Sequence, residues 1–424
     1  MQIGDIIAQL RKKLGWTQAY LAEGICSVSY LSKIENNVIV PNQETVFHLL
    51  KKLGHDIDNL VIFSEKEKEI QKKLNIWNEV MTRRQMDKIE SLYVALRSDV
   101  KSVFLNLDLI NLFEVLSVRY FIIKRDLENV TMLLNHLQRN MNRFSANTLY
   151  HYYQNLGTYY MWQEEHEKAL KSYEQAKVIA LEFKIEDAQL DSLLANLHSR
   201  LFHVSHALLY AEKAKRSFSE SLNYVRLIDV LIILGINQQQ LRFYEESLES
   251  YQRALQIIDM THSEEKRAMV YHNIAYTYYR MGEYAQAESM YLKSIEARQT
   301  GENERKANTY YYLSKVYEAM GDFKKARDVI DQAFTLLTEQ KEMEMVRYLL
   351  LFQRYKLSEN IKPDQIKQIE EEIIVYFRHR KLWQYVYDCA EFLSKVYRRQ
   401  VRRSKVIKMQ QIQIDALKQM KQFG

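Results

Sequence analysis

The sequence predicts an all-α protein in two parts, a small N-terminal bundle of helices and a long right-handed superhelical solenoid of helix pairs. Its 424 residues include only 10 Gly and 2 Pro, and so few helix-breaking residues indicate helices joined by short connections. A motif recurs between residues 156 and 314 with steps of 38, 40, 40 and 39 residues, which indicates stacked repeats. We therefore expect an N-terminal domain over residues 1–63, a charged linker over 64–73 and a repeat domain over 74–424.

Five short helices are predicted in the N-terminal domain. Apolar residues spaced for one helical face run from Ile3 to Leu14, and Gly15 ends this helix. Thr17 and Ser27 are suited to cap the second and third helices. The fourth and fifth helices are expected over residues 43–53 and 56–62.

The second and third predicted helices form a helix-turn-helix, the arrangement in which a third-helix face enters a DNA groove. Ala22 is small enough for the two helices to cross, and Cys26 is interpreted as a turn residue. With Val28, Leu31 and Ile34 turned inward, the opposite face of the third helix is free for DNA. The expected DNA contacts come from Thr17, Gln18, Ser27, Ser29, Tyr30 and Lys33.

The N-terminal domain lacks the basic surplus that is common in DNA-binding domains. Residues 1–62 contain six basic residues (Arg11, Lys12, Lys13, Lys33, Lys51, Lys52) and six acidic ones (Asp5, Glu23, Glu35, Glu44, Asp56, Asp58). One such domain would attract few phosphates. We therefore expect a dimer or a tetramer that places two domains on an inverted-repeat operator.

The repeat motif consists of a pair of residues followed at a fixed distance by a small residue. The pairs are Leu156-Gly157, Leu194-Ala195, Leu234-Gly235, Ile274-Ala275 and Leu313-Ser314, and the small residues twelve positions later are Ala169, Ala207, Ser247, Ala287 and Ala326. The pattern resembles the tetratricopeptide repeat, lengthened by about one helical turn. The clearest repeats cover residues 150–338, with atypical capping repeats at both ends.

In such repeats the first helix of each pair lines the concave wall, and the helical register predicts which side chains are exposed there. They combine amides, cations and aromatic rings: Asn155, Asn196, Arg200, Asp229, Asn273, Tyr276, Arg280, Asn308, Tyr311 and Lys315. A carboxamide can donate to and accept from the backbone of one peptide residue. This lining predicts a site for an extended short peptide.

The composition argues against several other functions. The chain has no Gly-rich phosphate loop and no nucleophile elbow, and His198, His203 and His206 lack an acidic or thiol partner, so we interpret them as surface histidines and expect neither cofactor nor metal. No apolar run is long enough for a membrane span. Two distant cysteines, Cys26 and Cys389, and no export signal lead us to expect a cytoplasmic protein without membrane partners.

Positive charge is concentrated near the C-terminus. Residues 378–408 contain ten basic residues and two acidic ones, a surplus of eight, whereas the whole chain has a formal net charge of +6. The segment is either a solvated helical face or a surface for an acidic protein or for DNA beside the operator.

Several residues carry a resemblance to known DNA-binding proteins. Thr17-Gln18, Leu21-Ala22 and residues 31–36 (Leu-Ser-Lys-Ile-Glu-Asn) resemble the phage-repressor type of helix-turn-helix. Cys26 stands where the common pattern has a turn glycine. The spacing from this turn to Ile34 is also one residue shorter than in the common pattern, as in regulators that respond to peptide pheromones.

With the five repeats, the chain resembles the peptide-pheromone-responsive regulators of Gram-positive bacteria, the group of Rgg, Rap, NprR and PlcR proteins, and the NprR type most. The resemblance implies a quorum-sensing transcription factor that binds an imported signalling peptide and controls extracellular protease and sporulation-related genes. Relatives without the N-terminal domain act as phosphatases of a sporulation phosphorelay protein. A phosphatase or sequestering partner of a response regulator is therefore the alternative, and one protein can combine both activities.

Overall fold

The computed structural model describes residues 3–39, 41–54, 57–100, 106–299, 301–337 and 343–422. The predicted all-α fold class is confirmed: these residues form helices and connections and contain no strand. The chain divides into two compact units, residues 1–190 and 191–424.

Unit 1 begins with the five helices of the N-terminal domain. They are α1 (Ile3–Lys13), α2 (Gln18–Ala22), α3 (Val28–Glu35), α4 (Gln43–Lys52) and α5 (Ile57–Thr82). Gly15 has a φ of +70°, which a residue without a Cβ adopts readily, and it ends α1 where predicted. The core contains Ile7, Leu21, Leu31 and Ile34, all fully buried.

The predicted linker over residues 64–73 is helical and lies inside α5. Its Lys and Glu residues favour helix, and Ile70, Leu74, Trp77 and Met81 bury one face of the same helix. The fifth helix thus continues into the repeat region without a break at residue 64. The predicted start of that helix at Asp56 lies outside the described residues.

The rest of unit 1 consists of helix pairs that precede and include the first clear repeat. They are α6 (Met86–Asp99), α7 (Leu107–Lys124), α8 (Leu127–Gln138), α9 (Ala146–Trp162) and α10 (His166–Glu182). Trp77 of α5 is fully buried and stacks at ring-centroid distances of 5.8 Å on Tyr93 and 5.7 Å on Phe113. An aromatic core thus joins α5 to α6 and α7.

Unit 2 continues the helix pairs to the C-terminal end of the described chain. Its helices are α11 (Ala188–Arg200, which begins in unit 1), α12 (Val204–Glu220), α13 (Tyr224–Gln240), α14 (Tyr244–Thr261), α15 (Arg267–Met281), α16 (Tyr284–Glu296), α17 (Asn303–Ala319), α18 (Phe323–Thr335), α19 (Glu344–Lys356), α20 (Pro363–Gln368), α21 (Ile374–His379), α22 (Trp383–Arg399) and α23 (Arg403–Gln422). A π-helical segment, Ile369–Ile373, joins α20 to α21.

The repeat motif occupies equivalent positions in five helix pairs, from α9/α10 to α17/α18. The predicted small residues Ala169, Ala207, Ser247, Ala287 and Ala326 are all fully buried. The turn inside each pair contains one residue with left-handed φ, eight positions after the large member of the motif: Glu164, Phe202, Arg242, Gly282 and Gly321. The repeats therefore have in common both a turn geometry and a buried small residue.

Candidate functional site

The helix-turn-helix is built by two capped helices that cross at a small residue. The Thr17 hydroxyl accepts from the Tyr20 backbone N–H at 3.1 Å, and the Ser27 hydroxyl accepts from that of Tyr30 at 3.1 Å. Ala22 is 1% exposed. Both predicted caps are thus present, and each satisfies a backbone donor at a helix start.

The exposed face of α3 differs in part from the predicted one. Ser29 and Lys33 are exposed as expected, and Leu31 and Ile34 are buried. Val28, predicted to turn inward, is 46% exposed because it begins α3 and lies beyond the core. Tyr30, predicted to turn outward, is half-buried against the core of the N-terminal domain. The open face of α3 therefore presents Val28, Ser29 and Lys33.

A buried ion pair connects the N-terminal helices behind that face. The Arg11 guanidinium donates to Glu35 through Nε at 2.6 Å and Nη2 at 2.8 Å, and Gln18 Nε2 donates to Glu35 at 2.7 Å. Burial alone would raise the pKa of Glu35, but the hydrogen bonds from Arg11 and Gln18 lower it overall. Gln18, expected at a phosphate, has its amide nitrogen bound to this carboxylate instead.

The wall of unit 2 is the face shared by the first helices of its repeats. The side chains of Asn196 (α11), Asn273 (α15) and Asn308 (α17) are half-buried. Within the described residues these three amides form no hydrogen bond, whereas the buried amide of Asn237 donates to Ser199 Oγ at 2.8 Å and to Ile233 O at 2.7 Å. The donors and acceptors of the three wall amides are therefore unpaired within the described residues.

Two of the predicted peptide contacts are buried in the structure. Asn155 is 3% exposed, and its Nδ2 donates to Val115 O at 2.8 Å, so this amide ties α9 to α7 within unit 1. Tyr311 is 2% exposed. The neighbouring Tyr312 stands one residue before the repeat motif, as Asn273 does, and is partly exposed. The predicted register was one residue off at Tyr311.

The remaining predicted wall residues differ in how far they are already paired. Asp229 is half-buried and lies 3.1 Å from Lys266 Nζ. Arg200 is exposed at the end of α11, and Arg280 is exposed with its guanidinium carbon 5.9 Å from the centre of the Tyr276 ring. Asp229 is thus less available to a ligand than the two arginines.

Sequence reasoning overlooked a group of side chains around Lys315. Its ammonium lies 5.7 Å from the ring centre of Tyr311 and 6.0 Å from that of Tyr279. From α22, Tyr385 contributes a hydroxyl 3.4 Å from that of Tyr312. Helix α22 lies beyond the recognisable repeats, so the motif alone could not reveal it.

The histidines and the basic segment lie elsewhere in unit 2. His203 and His206 are exposed, but His198, expected at the surface, is 8% exposed with its Nδ1 3.2 Å from that of His203. No group of three metal-binding side chains occurs in the described part of the chain. Four arginines of the basic segment, all exposed, surround the turn between α22 and α23: Arg398, Arg399, Arg402 and Arg403.

Comparisons with known protein families match both parts of the chain. A helix-turn-helix family model matches residues 7–60, and a tetratricopeptide repeat model matches residues 227–300 and 266–339. No helix among the described residues has the length and apolar character needed to cross a bilayer. The two matches define the architecture: a helix-turn-helix domain followed by tetratricopeptide-like repeats.

Two known proteins are similar in sequence to this chain, one over most of its length and one over about half. The transcriptional activator NprA of Geobacillus stearothermophilus is 28% identical over 89% of this chain and 94% of its own. The response regulator aspartate phosphatase I of Bacillus subtilis is 22% identical over 55% of this chain and 64% of its own.

Solved structures of the quorum sensor NprR share the fold. The apo form from B. thuringiensis superposes with a TM-score of 0.73 at 22% identity, covering 83% of this chain and 99% of NprR. NprR in complex with its cognate peptide NprX gives a TM-score of 0.64 at 22% identity over 82% and 99%. The resemblance predicted from the sequence is confirmed at the level of the fold, which is similar to that of NprR.

Proposed function

We propose that this protein is a peptide-gated transcription factor, in which α3 contacts an operator and the wall of unit 2 binds a short signalling peptide. The similarity to the activator NprA supports regulation of transcription, and the fold of NprR, which was crystallised with a cognate peptide, supports a peptide ligand. The resemblance implies a cytoplasmic quorum-sensing role with extracellular protease and sporulation-related genes as targets.

The observation that carries the peptide proposal is that the amides of Asn196, Asn273 and Asn308 have no hydrogen-bond partner in the described part of the chain. Polar groups that are half-buried without partners are costly unless a ligand or water satisfies them. An extended peptide offers one N–H and one C=O per residue, which a carboxamide can bind together regardless of the peptide's sequence. Side-chain contacts would then provide selectivity.

Peptide binding can alter DNA binding only if the peptide prefers one state of the protein. A ligand shifts an equilibrium by its difference in affinity for the two states. The same coupling free energy then acts in both directions, so operator DNA changes the affinity for peptide by the factor by which peptide changes the affinity for DNA. Reciprocal titrations measure this factor.

The wall is tested by calorimetry with heptapeptides that the full-length protein retains from a randomised pool. Asn273→Ala should weaken binding about five- to 150-fold, the equivalent of about 1–3 kcal/mol for peptide groups left unpaired. Gln252→Ala removes an exposed amide from α14, the second helix of its pair, and is the matched control. Equal affinities for Asn273→Ala and Gln252→Ala would remove Asn273 from the site.

The alternative function is action on a response regulator, either as a phosphatase or by sequestration. The similarity of part of the chain to a response regulator aspartate phosphatase favours it, whereas the intact N-terminal helix-turn-helix favours DNA binding. Two measurements on the same preparation separate the two functions: selection of duplexes from a randomised pool, and phosphate release from a phosphorylated response regulator. Phosphate release by a protein that selects no duplex would establish action on a response regulator as the function.

A further inference from the structure

One part of the wall combines cations and aromatic rings more densely than the rest. Helix α15 contributes Tyr276, Tyr279 and Arg280, and α17 contributes Lys315. We refer to these four residues as the tyrosine–cation cluster. They occupy neighbouring first helices of unit 2, on the face that carries Asn273 and Asn308.

Lys315 is the central residue of this cluster. Its side chain is partly buried with the ammonium near two aromatic rings, at 5.7 Å from Tyr311 and 6.0 Å from Tyr279. Within the described residues no carboxylate lies within 4 Å of it. Burial lowers the pKa of Lys315 from its ordinary value, although the nearby charge of Asp388 raises it in part.

The carboxylates around Lys315 are engaged with other groups. Glu318 lies 2.7 Å from Lys356 Nζ and accepts from Gln353 Nε2 at 2.9 Å. Asp388 accepts from Gln384 Nε2 at 2.9 Å, and burial raises the pKa of its carboxyl group. Lys315 is therefore a partly desolvated cation whose potential partners already have hydrogen bonds.

Arg280 adds a second cation at the exposed edge of the cluster. Its guanidinium carbon lies 5.9 Å from the centre of the Tyr276 ring, and Nη1 is 3.5 Å from the Tyr276 hydroxyl. Its charge is near enough to lower the pKa of Lys315. The rings of Tyr276 and Tyr279 stack with their centres 6.2 Å apart, so Arg280 and Lys315 lie beside one pair of rings. Two like charges placed in this way favour binding of an anion between them.

We propose that the tyrosine–cation cluster binds a carboxylate of the peptide, with the ligand anion between Lys315 and Arg280 and the apolar part of the residue against Tyr276 and Tyr279. This inference rests on the proposed function and specifies the chemistry of the ligand at one point of the wall. Charge-assisted hydrogen bonds to a carboxylate are strong where water is partly excluded. The carboxylate belongs either to the peptide C-terminus or to an Asp or Glu side chain.

The experiment uses the full-length protein and heptapeptides with free C-termini, selected from a randomised pool and measured singly by calorimetry. Lys315→Met keeps the length of the side chain and removes its charge, and we expect about ten- to 100-fold weaker binding. Lys293→Met, at an exposed position on α16, the second helix of its pair, is the matched control and should bind as wild type does.

The source of the carboxylate is determined by changing the peptide. Amidation of the C-terminus and replacement of each Asp or Glu by its amide are tested separately, and one of them should reproduce the loss seen with Lys315→Met. In the Lys315→Met protein that same peptide change should cause little further loss, because the two changes remove one interaction. Arg280→Gln, at an exposed position, gives the same readout if Lys315→Met does not fold.

Each outcome distinguishes this inference from the proposed function. If selected peptides bind Lys315→Met and Arg280→Gln as tightly as wild type and tolerate both kinds of neutralisation, the carboxylate site is refuted while the peptide receptor remains. If the wild-type protein retains no peptide from the pool, the proposed function is refuted and the carboxylate site with it.

Discussion

Lys33 lies exposed on α3, about one helical turn after the exposed Ser29. A lysine at this position is suited to a phosphate, and each neutralised phosphate contributes about one unit to the slope of log K against log salt. We expect Lys33→Ala to weaken DNA binding similarly for all sequences and to reduce that slope by about one unit. Fluorescence titration of a selected duplex across a salt series measures both quantities.

Two comparison variants make the Lys33 measurement specific. Lys88→Ala removes an exposed lysine from α6, outside the helix-turn-helix, and should leave the slope unchanged. Val28→Ser changes an exposed apolar side chain at the start of α3, where contact with a thymine methyl group is expected. It should alter the preferred sequence and leave the slope as it is. A slope that Lys33→Ala does not change would exclude the phosphate contact.

Among the elements of the N-terminal domain, α1, α2 and α3 are connected by the Arg11–Glu35–Gln18 network. Glu35→Ala would leave the Arg11 guanidinium buried without its carboxylate, at a cost of about 3–5 kcal/mol in the stability of this domain. Amide hydrogen exchange of α1 and α3 in the full-length protein measures the loss. If Glu35→Ala exchanges at wild-type rates, the network contributes little to the stability of the N-terminal domain.

The same network predicts a pH dependence. The pKa of Glu35 in the folded domain lies below its ordinary value, so the folded state favours the ionised form. Its contribution to stability is complete above the unfolded pKa of about 4.3 and is lost as the pH falls through the lower folded value. Faster exchange of α1 and α3 on acidification below that point is expected, and Glu35→Ala should remove this component.

The close contact between α13 and α14 depends on Gly235. A Cβ built there would lie 2.5 Å from the Tyr251 ring, and Tyr251 is fully buried. Gly235→Ala should therefore destabilise unit 2 by about 1–3 kcal/mol through overpacking. Hydrogen exchange of the α13 and α14 amides measures this loss of stability.

A second substitution tests whether the contact itself causes the loss. In the preceding repeat Ala195 and Ala211 occupy the positions of Gly235 and Tyr251, and both are fully buried. In a Tyr251→Ala background, Gly235→Ala should consequently be almost neutral. Equal losses in both backgrounds would assign the effect to the backbone of Gly235 instead.

The geometry of a helix explains why the repeat helices could be predicted from the sequence while some of their exposed residues could not. Motifs such as Leu234-Gly235 identified the repeat helices because buried small residues recur at a fixed spacing. They could not reliably distinguish Tyr311 from Tyr312, because adjacent residues on a helix point about 100° apart and three consecutive tyrosines have the same apolar character. Asn155 was misjudged because its burial depends on α7, which the motif does not describe.

For the whole molecule, the distribution of charge bears on how DNA is bound. The N-terminal domain is formally neutral, and its exposed Lys33 offers limited attraction for phosphates. The four exposed arginines around the α22–α23 turn lie far away in the sequence, in unit 2. A single copy of the N-terminal domain would therefore make few phosphate contacts with an operator. Self-association is for this reason part of the proposed mechanism.

We accordingly expect the protein to bind an inverted repeat as a dimer or a tetramer. Two copies double the number of phosphate contacts, and their symmetry matches half-sites separated by roughly 34–36 Å or a multiple of it, so that both α3 helices meet the major groove on one face of the duplex. Light scattering should give the mass of at least two 50.8 kDa chains, and footprinting should show two protected half-sites.

Inserting five base pairs between the half-sites turns one of them by half a helical turn, and this should weaken binding far more than an insertion of ten base pairs. A monomer that protects one asymmetric half-site, with equal affinity for both insertions, would refute the dimeric mechanism.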